Sequence, residues 1–137
     1  MRLSALPLLM MLSLLTLGGC SKYSFDTPEH AYTSFHTMVK RGELKQAFGA
    51  LSQGTREALA ARAQALKEAS GGNVKAEPYE LFFMNSVPPV DVTEPKVVHQ
   101  EGDVATVRVL TSGQAHEVRL VREASGWKID LLDSLKP

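Results

Sequence analysis

The stretch Glu101-Gly102-Asp103-Val104-Ala105-Thr106-Val107-Arg108-Val109-Leu110-Thr111-Ser112-Gly113 decides the fold. Two glycine turns bracket a run of β-branched residues. Within that run Ala105, Val107 and Val109 alternate with Thr106 and Arg108, the period-two pattern of a strand with one buried face. A further turn at Ser125-Gly126 separates two more such runs. In the first, Val118 and Leu120 face inward and Glu117, Arg119 and Glu123 outward. In the second, Trp127, Ile129 and Leu131 face inward, with Lys128 and Asp130 outward. Another strand falls within Val90 to Gln100, interrupted by Pro95. The C-terminal half therefore reads as an antiparallel meander of about four strands.

Upstream the period changes to that of helices. Thr27-Pro28-Glu29 combines a capping hydroxyl, a proline pre-set at the first helical position and an acid at the positive end of the dipole. The helix it opens runs to about Arg41, with Ala31, Phe35, Met38 and Val39 on one face, and Gly42 ends it. Leu44, Ala47, Phe48 and Leu51 repeat the pattern in a short second helix. Gln53 to Ala69 forms a third, with Leu59 and Leu66 on its apolar stripe and Arg56, Arg62 and Lys67 on its solvated side. Ser70-Gly71-Gly72-Asn73 breaks it. Pro78-Tyr79-Glu80-Leu81-Phe82-Phe83-Met84 reads as a short buried helix, with a buried strand as the alternative. The expected class is α+β, three N-terminal helices packed on a curved antiparallel sheet of about four strands.

The N-terminus carries a different signal. Arg2 precedes an apolar run from Leu3 to Leu17, too short for a spanning helix, which closes on Leu17-Gly18-Gly19-Cys20. This stretch resembles the lipobox of bacterial lipoproteins. The resemblance implies a signal peptide over 1–19, lipid on the Cys20 sulfur, a tether over 20–26 and a single domain over 27–137. Ser21 after the lipidated cysteine implies the outer membrane under the sorting rule of enteric bacteria. Membrane attachment through Cys20 is thus the first expected partner interaction. Cleavage leaves 118 of the 137 residues, with 14 basic against 15 acidic side chains, because Arg2 is the one charge removed. Near-neutrality argues against a nucleic-acid partner, since phosphate binding needs a surplus of Lys and Arg. Cys20 is the only cysteine, so with its thiol lipidated the core alone holds the fold.

The helix-then-meander order also resembles the nuclear transport factor 2-like (cystatin-like cone) superfamily. The matching stretches are Thr27-Pro28-Glu29, Arg41-Gly42-Glu43-Leu44 leading to Ala47 and Leu51-Ser52, Val118-Arg119-Leu120-Val121-Arg122-Glu123 and Gly126-Trp127-Lys128-Ile129-Asp130. Such a fold implies an apolar concavity beneath the first helix, lined here by Phe35, Tyr79, Phe82, Met84, His116 and Trp127. Either these side chains fill one another's space, or they leave a pocket for an apolar ligand or a partner's side chain. Asn85 to Pro95 would be an irregular loop at its mouth. Enzymes of the superfamily, such as ketosteroid isomerase and polyketide cyclases, place an acidic or His base with an acid partner inside the cone. Here the strand carboxylates alternate outward and His116 is the one inward titratable candidate, so no catalytic residue is assigned. His30 and His36 lie about 120° apart on their helix, and no metal site or cofactor is expected. The leading expectation is a non-enzymatic, lipid-anchored binding or interaction module of the cell envelope. The alternatives are a small-molecule enzyme of the ketosteroid-isomerase type, and an accessory subunit docking through an apolar patch of Phe82, Phe83 and Met84.

Overall fold

A computed structural model describes residues 22–84 and 92–137 of the chain. The expected signal peptide, Cys20 and most of the loop from Asn85 lie outside the described residues. Helix α1 (Pro28–Lys40) starts where the sequence indicates: Thr27 is extended and its Oγ1 accepts from His30 N at 3.1 Å. Gly42, at φ 71°, turns the chain out of it. Helix α2 (Leu44–Gly49) stops before Leu51, and α3 (Gln53–Ala69) is capped by Ser52, whose Oγ accepts from Thr55 N at 3.2 Å. Helix α4 (Pro78–Phe83) confirms the helical reading of that segment, with Glu77 N donating to Glu80 Oε2 at 2.9 Å.

The sheet is a four-stranded antiparallel meander in the order β1-β2-β3-β4 (Lys96–Glu101, Val104–Thr111, Gln114–Glu123, Gly126–Ile129). Its turns carry Gly102, Gly113 and Gly126 at positive φ, where a side chain would be strained. The expected phase holds: Ala105, Val107, Val109, Leu120, Trp127 and Ile129 are all buried and share the face covered by α1. They form one core with Ala31, Leu51 and Leu59. A second core of Met38, Ala47, Ala50 and Phe83 adjoins it, and Phe25, Phe35, Phe48 and Phe82 pack against both.

Four expectations are corrected. The helices are not all N-terminal, because a single turn, α5 (Leu132–Leu135), follows β4. Leu131 does not extend that strand: its N–H donates to Thr55 Oγ1 at 2.9 Å, which turns the chain toward α3. Leu66 is 41% exposed, whereas Leu59 on the same helix is buried. Lys128 and Asp130, read as solvated, are 9% and 7% exposed. Alternation places both off the main core face, but other parts of the chain cover them there. Asp130 Oδ1 lies 2.8 Å from the Ser52 hydroxyl and 3.2 Å from that of Thr55, while Oδ2 pairs with Arg119. A buried carboxylate needs such partners. This one joins the end of β4 to the start of α3.

Trp127 is 3% exposed, and the Arg122 guanidinium lies 5.1 Å from its ring centre. Replacing it with Ala in a chain beginning at Ser21 is expected to cost about 3 to 5 kcal/mol, typical for a buried aromatic. Urea denaturation measures this as a fall in midpoint, and an unchanged midpoint would refute the assigned core.

Candidate functional site

The six residues expected to line a concavity go to different places. Phe35, Tyr79 and Phe82 meet at the second core, where Phe35 lies 6.4 Å from Phe83 and Phe82 packs edge-on to Phe83 at 4.7 Å. Trp127 belongs to the first core. Met84 is 65% exposed at the end of α4. His116 is exposed two residues into β3 from the turn, opposite Val109. Phe83, which the sequence reading placed in an exposed docking patch, is buried at the centre of the second core, so Phe82 and Met84 alone of that trio reach the surface.

The structure instead builds a site from residues of the expected tether. Lys22 to Asp26 is a strap laid across the domain. Tyr23 and Phe25 are half-buried, while Lys22, Ser24 and Asp26 are exposed. Ser24 N donates to Ser34 Oγ at 3.0 Å, and that hydroxyl donates back to Ser24 O at 2.9 Å. Trp127 N donates to Phe25 O at 2.8 Å, so the strap occupies the outer edge of β4. The Tyr23 hydroxyl donates to Glu43 Oε2, and Lys22 Nζ lies 3.5 Å from Glu43 Oε1. The signal for this was present: two aromatics at i and i+2 among polar residues are a short half-buried strand pattern.

Beneath the strap lies an open hollow of about 470 Å³, lined chiefly by Lys22, Tyr23, Phe25, Met38, Glu43 and Lys128. Lys128 Nζ donates to Gly49 O at 3.2 Å and sits 4.7 Å from the centre of the Phe25 ring. Burial pushes its ammonium below the usual lysine range, against the opposing pull of Glu123. The hydrogen bond from Tyr23, with Lys22 and Arg41 nearby, holds the Glu43 carboxyl below its usual range. One shielded cation, one paired carboxylate and two aromatic walls can seat a chain or a headgroup. At the strap's end the Asp26 carboxyl is lowered to about 2, first by the Ser24 hydroxyl and then by His30, whose Nδ1 is 2.7 Å away.

A second hollow, of about 380 Å³, lies at the other end of the sheet between Thr93, Glu94, Lys96, Val98, Arg108 and Leu110. Val98 and Leu110 are 41% and 40% exposed there. The register of β1 shifts between Val97 and His99, which places Val98 in a bulge. Among the described residues, no three His, Cys, Asp or Glu side chains converge on a point that could hold a metal.

The strap can be tested at Gly126. Its φ is 121°, and a Cβ there would lie 2.6 Å from Phe25 O. Gly126→Ala is expected to displace the strap and destabilise the domain by about 1 to 3 kcal/mol. By hydrogen exchange, the Trp127 amide should lose protection while the Ile129 amide, held by Ala50 O at 3.0 Å, keeps it. Equal protection of both amides in the variant would count against a seated strap. The carboxyl of Asp26 gives a pH dependence as well. Its folded value lies below the unfolded 3.8, so its contribution is complete above about pH 4 and is lost as pH falls toward 2. The gap in thermal midpoint between wild type and Asp26→Asn should therefore close across that window, and a constant gap would refute the assignment.

Comparison with known proteins finds no matching family model, no matching curated protein and no matching solved structure, so the functional reading rests on this chain's own residues.

Proposed function

We propose that this chain is a cell-envelope lipoprotein, anchored through lipid on Cys20, whose domain is a non-enzymatic binding or interaction module. The observation that carries the reading is the strap. The residues directly after the Leu17-Gly18-Gly19-Cys20 motif are built into the domain by backbone and side-chain hydrogen bonds. Cleavage before Cys20 would leave that seating whole and put the lipid beside a folded surface. Among the described residues, no helix is long and apolar enough to cross a membrane, and the lipid is the attachment we assign. Ser21 favours the outer membrane.

The binding role draws support from how the carboxylates of the described clusters are used. Asp130 is held by Ser52, Thr55 and Arg119, Glu43 by Tyr23, and Asp26 by Ser24 and His30. Each fastens one segment to another. The hollow beside β1 brings two exposed apolar side chains, Val98 and Leu110, together, and this is where we place the partner or apolar ligand. We read the domain as a nuclear transport factor 2-like cone, because α1 to α3 precede a meander and α1 lies across one sheet face. The turn α5 is an addition to that plan.

In cells fed radiolabelled palmitate, the wild type should be labelled and require detergent for extraction, because two or more acyl chains hold a protein at the membrane where one holds it only marginally. Cys20→Ala should be unlabelled and remain an uncleaved or unanchored precursor. Unlabelled wild-type protein in the soluble periplasmic fraction would overturn the anchor.

A further inference from the structure

Glu43 is ringed by cations at the end of the domain where the strap begins. Lys22 approaches it to 3.5 Å, and Arg41 Nη1 donates to the Tyr23 hydroxyl at 3.5 Å. Two residues along the chain from Glu43, Lys45 lies with its ammonium 5.5 Å from the centre of the Tyr79 ring. Exposed Lys40 precedes Arg41. The one carboxylate among them is occupied by the Tyr23 hydroxyl, and Glu80, which accepts from the Tyr79 hydroxyl at 3.4 Å, caps the start of its own helix. In a chain whose charges sum to zero, this end carries a local excess of positive charge.

Chain length fixes where this end must be. Lys22 is already seated through Tyr23 and Ser24, and Cys20 stands two residues before it, within about 7 Å from Cα to Cα. We propose that the surface formed by Lys22, Arg41 and Lys45 around Glu43 is the membrane-facing side of the domain and binds the headgroups of anionic phospholipids. The proposal rests on the lipid anchor at Cys20. Given that anchor, the strap leaves too little free chain for the domain to turn this surface away from the bilayer, and each Lys or Arg near an anionic surface adds attraction that fades within a Debye length. The hollow at Val98 and Leu110 belongs to β1, the far edge of the sheet from the strap, and would face the aqueous side.

Lysine acetylation footprinting tests this on the mature protein, purified in detergent and placed in nanodiscs of phosphatidylcholine with or without phosphatidylglycerol. Intact mass first reports whether Cys20 carries acyl chains. In anionic discs, Lys22 and Lys45 should label about threefold or more slowly than in neutral discs, with Lys96 on β1 unchanged, and salt at roughly 0.5 M should remove the difference by shortening the Debye length to about 4 Å. A lipidated protein in which Lys22 and Lys45 label equally in both discs overturns the surface assignment and leaves the anchor standing, as does protection centred on Lys96. A mass without acyl chains overturns the anchor, and the proposal falls with it.

Discussion

Strand β4 is four residues long and is hydrogen-bonded along both sides. On one side it pairs with β3 in the register Leu120 to Ile129 and Arg122 to Trp127. On the other, Trp127 N reaches Phe25 O, Ile129 N reaches Ala50 O, and Ser52 N reaches Ile129 O at 2.7 Å. Buried backbone groups must be paired, and here the partners come from three separate parts of the chain. The strap, the junction between α2 and α3, and the meander are thereby fixed to one another through a single short strand. Ser52 takes part twice, giving its N–H to Ile129 and its hydroxyl to Asp130 while also capping α3.

The two cores joined in this way differ in composition. The fully buried residues of the sheet-facing core are aliphatic apart from Trp127. The second core lies where α1, α2 and α4 meet. Rings fill that space: Phe83 is central, with Phe25, Phe35, Phe48 and Phe82 spanning the boundary between the cores. The aromatic side chains of this region are committed to joining the helices to the sheet. Ligand-sized hollows lie at the surface, among them those under the strap and beside β1.

Much of the fold was legible because its signals are local. The glycines at 102, 113 and 126 marked turns, the alternation around Ala105, Val118 and Trp127 gave strand phase, and Thr27-Pro28 gave a helix start to the residue. What escaped depended on cover. Alternation says which face a side chain takes and is silent on what lies over that face. Lys128 and Asp130 took the face expected of them and are buried by the strap, by the end of α2 and by the start of α3. His116 took the core face and is nonetheless exposed, near the start of β3. The candidate site was less legible still, since Tyr23 and Phe25 show their pattern over only five residues. Their partners, Glu43 and Trp127, lie 20 and 102 residues away.

The two margins of the sheet are unequal. The β4 margin is closed by Phe25 and by Ala50 to Ser52, whereas among the described residues no strand pairs along the outer side of β1. An unpaired margin invites another strand, and Lys96, Glu101 and the bulge at Val98 temper that invitation without removing it. A sheet with two free margins can add copies without end. With one free margin among the described residues, two copies joined through β1 would have no second free strand margin to offer a third.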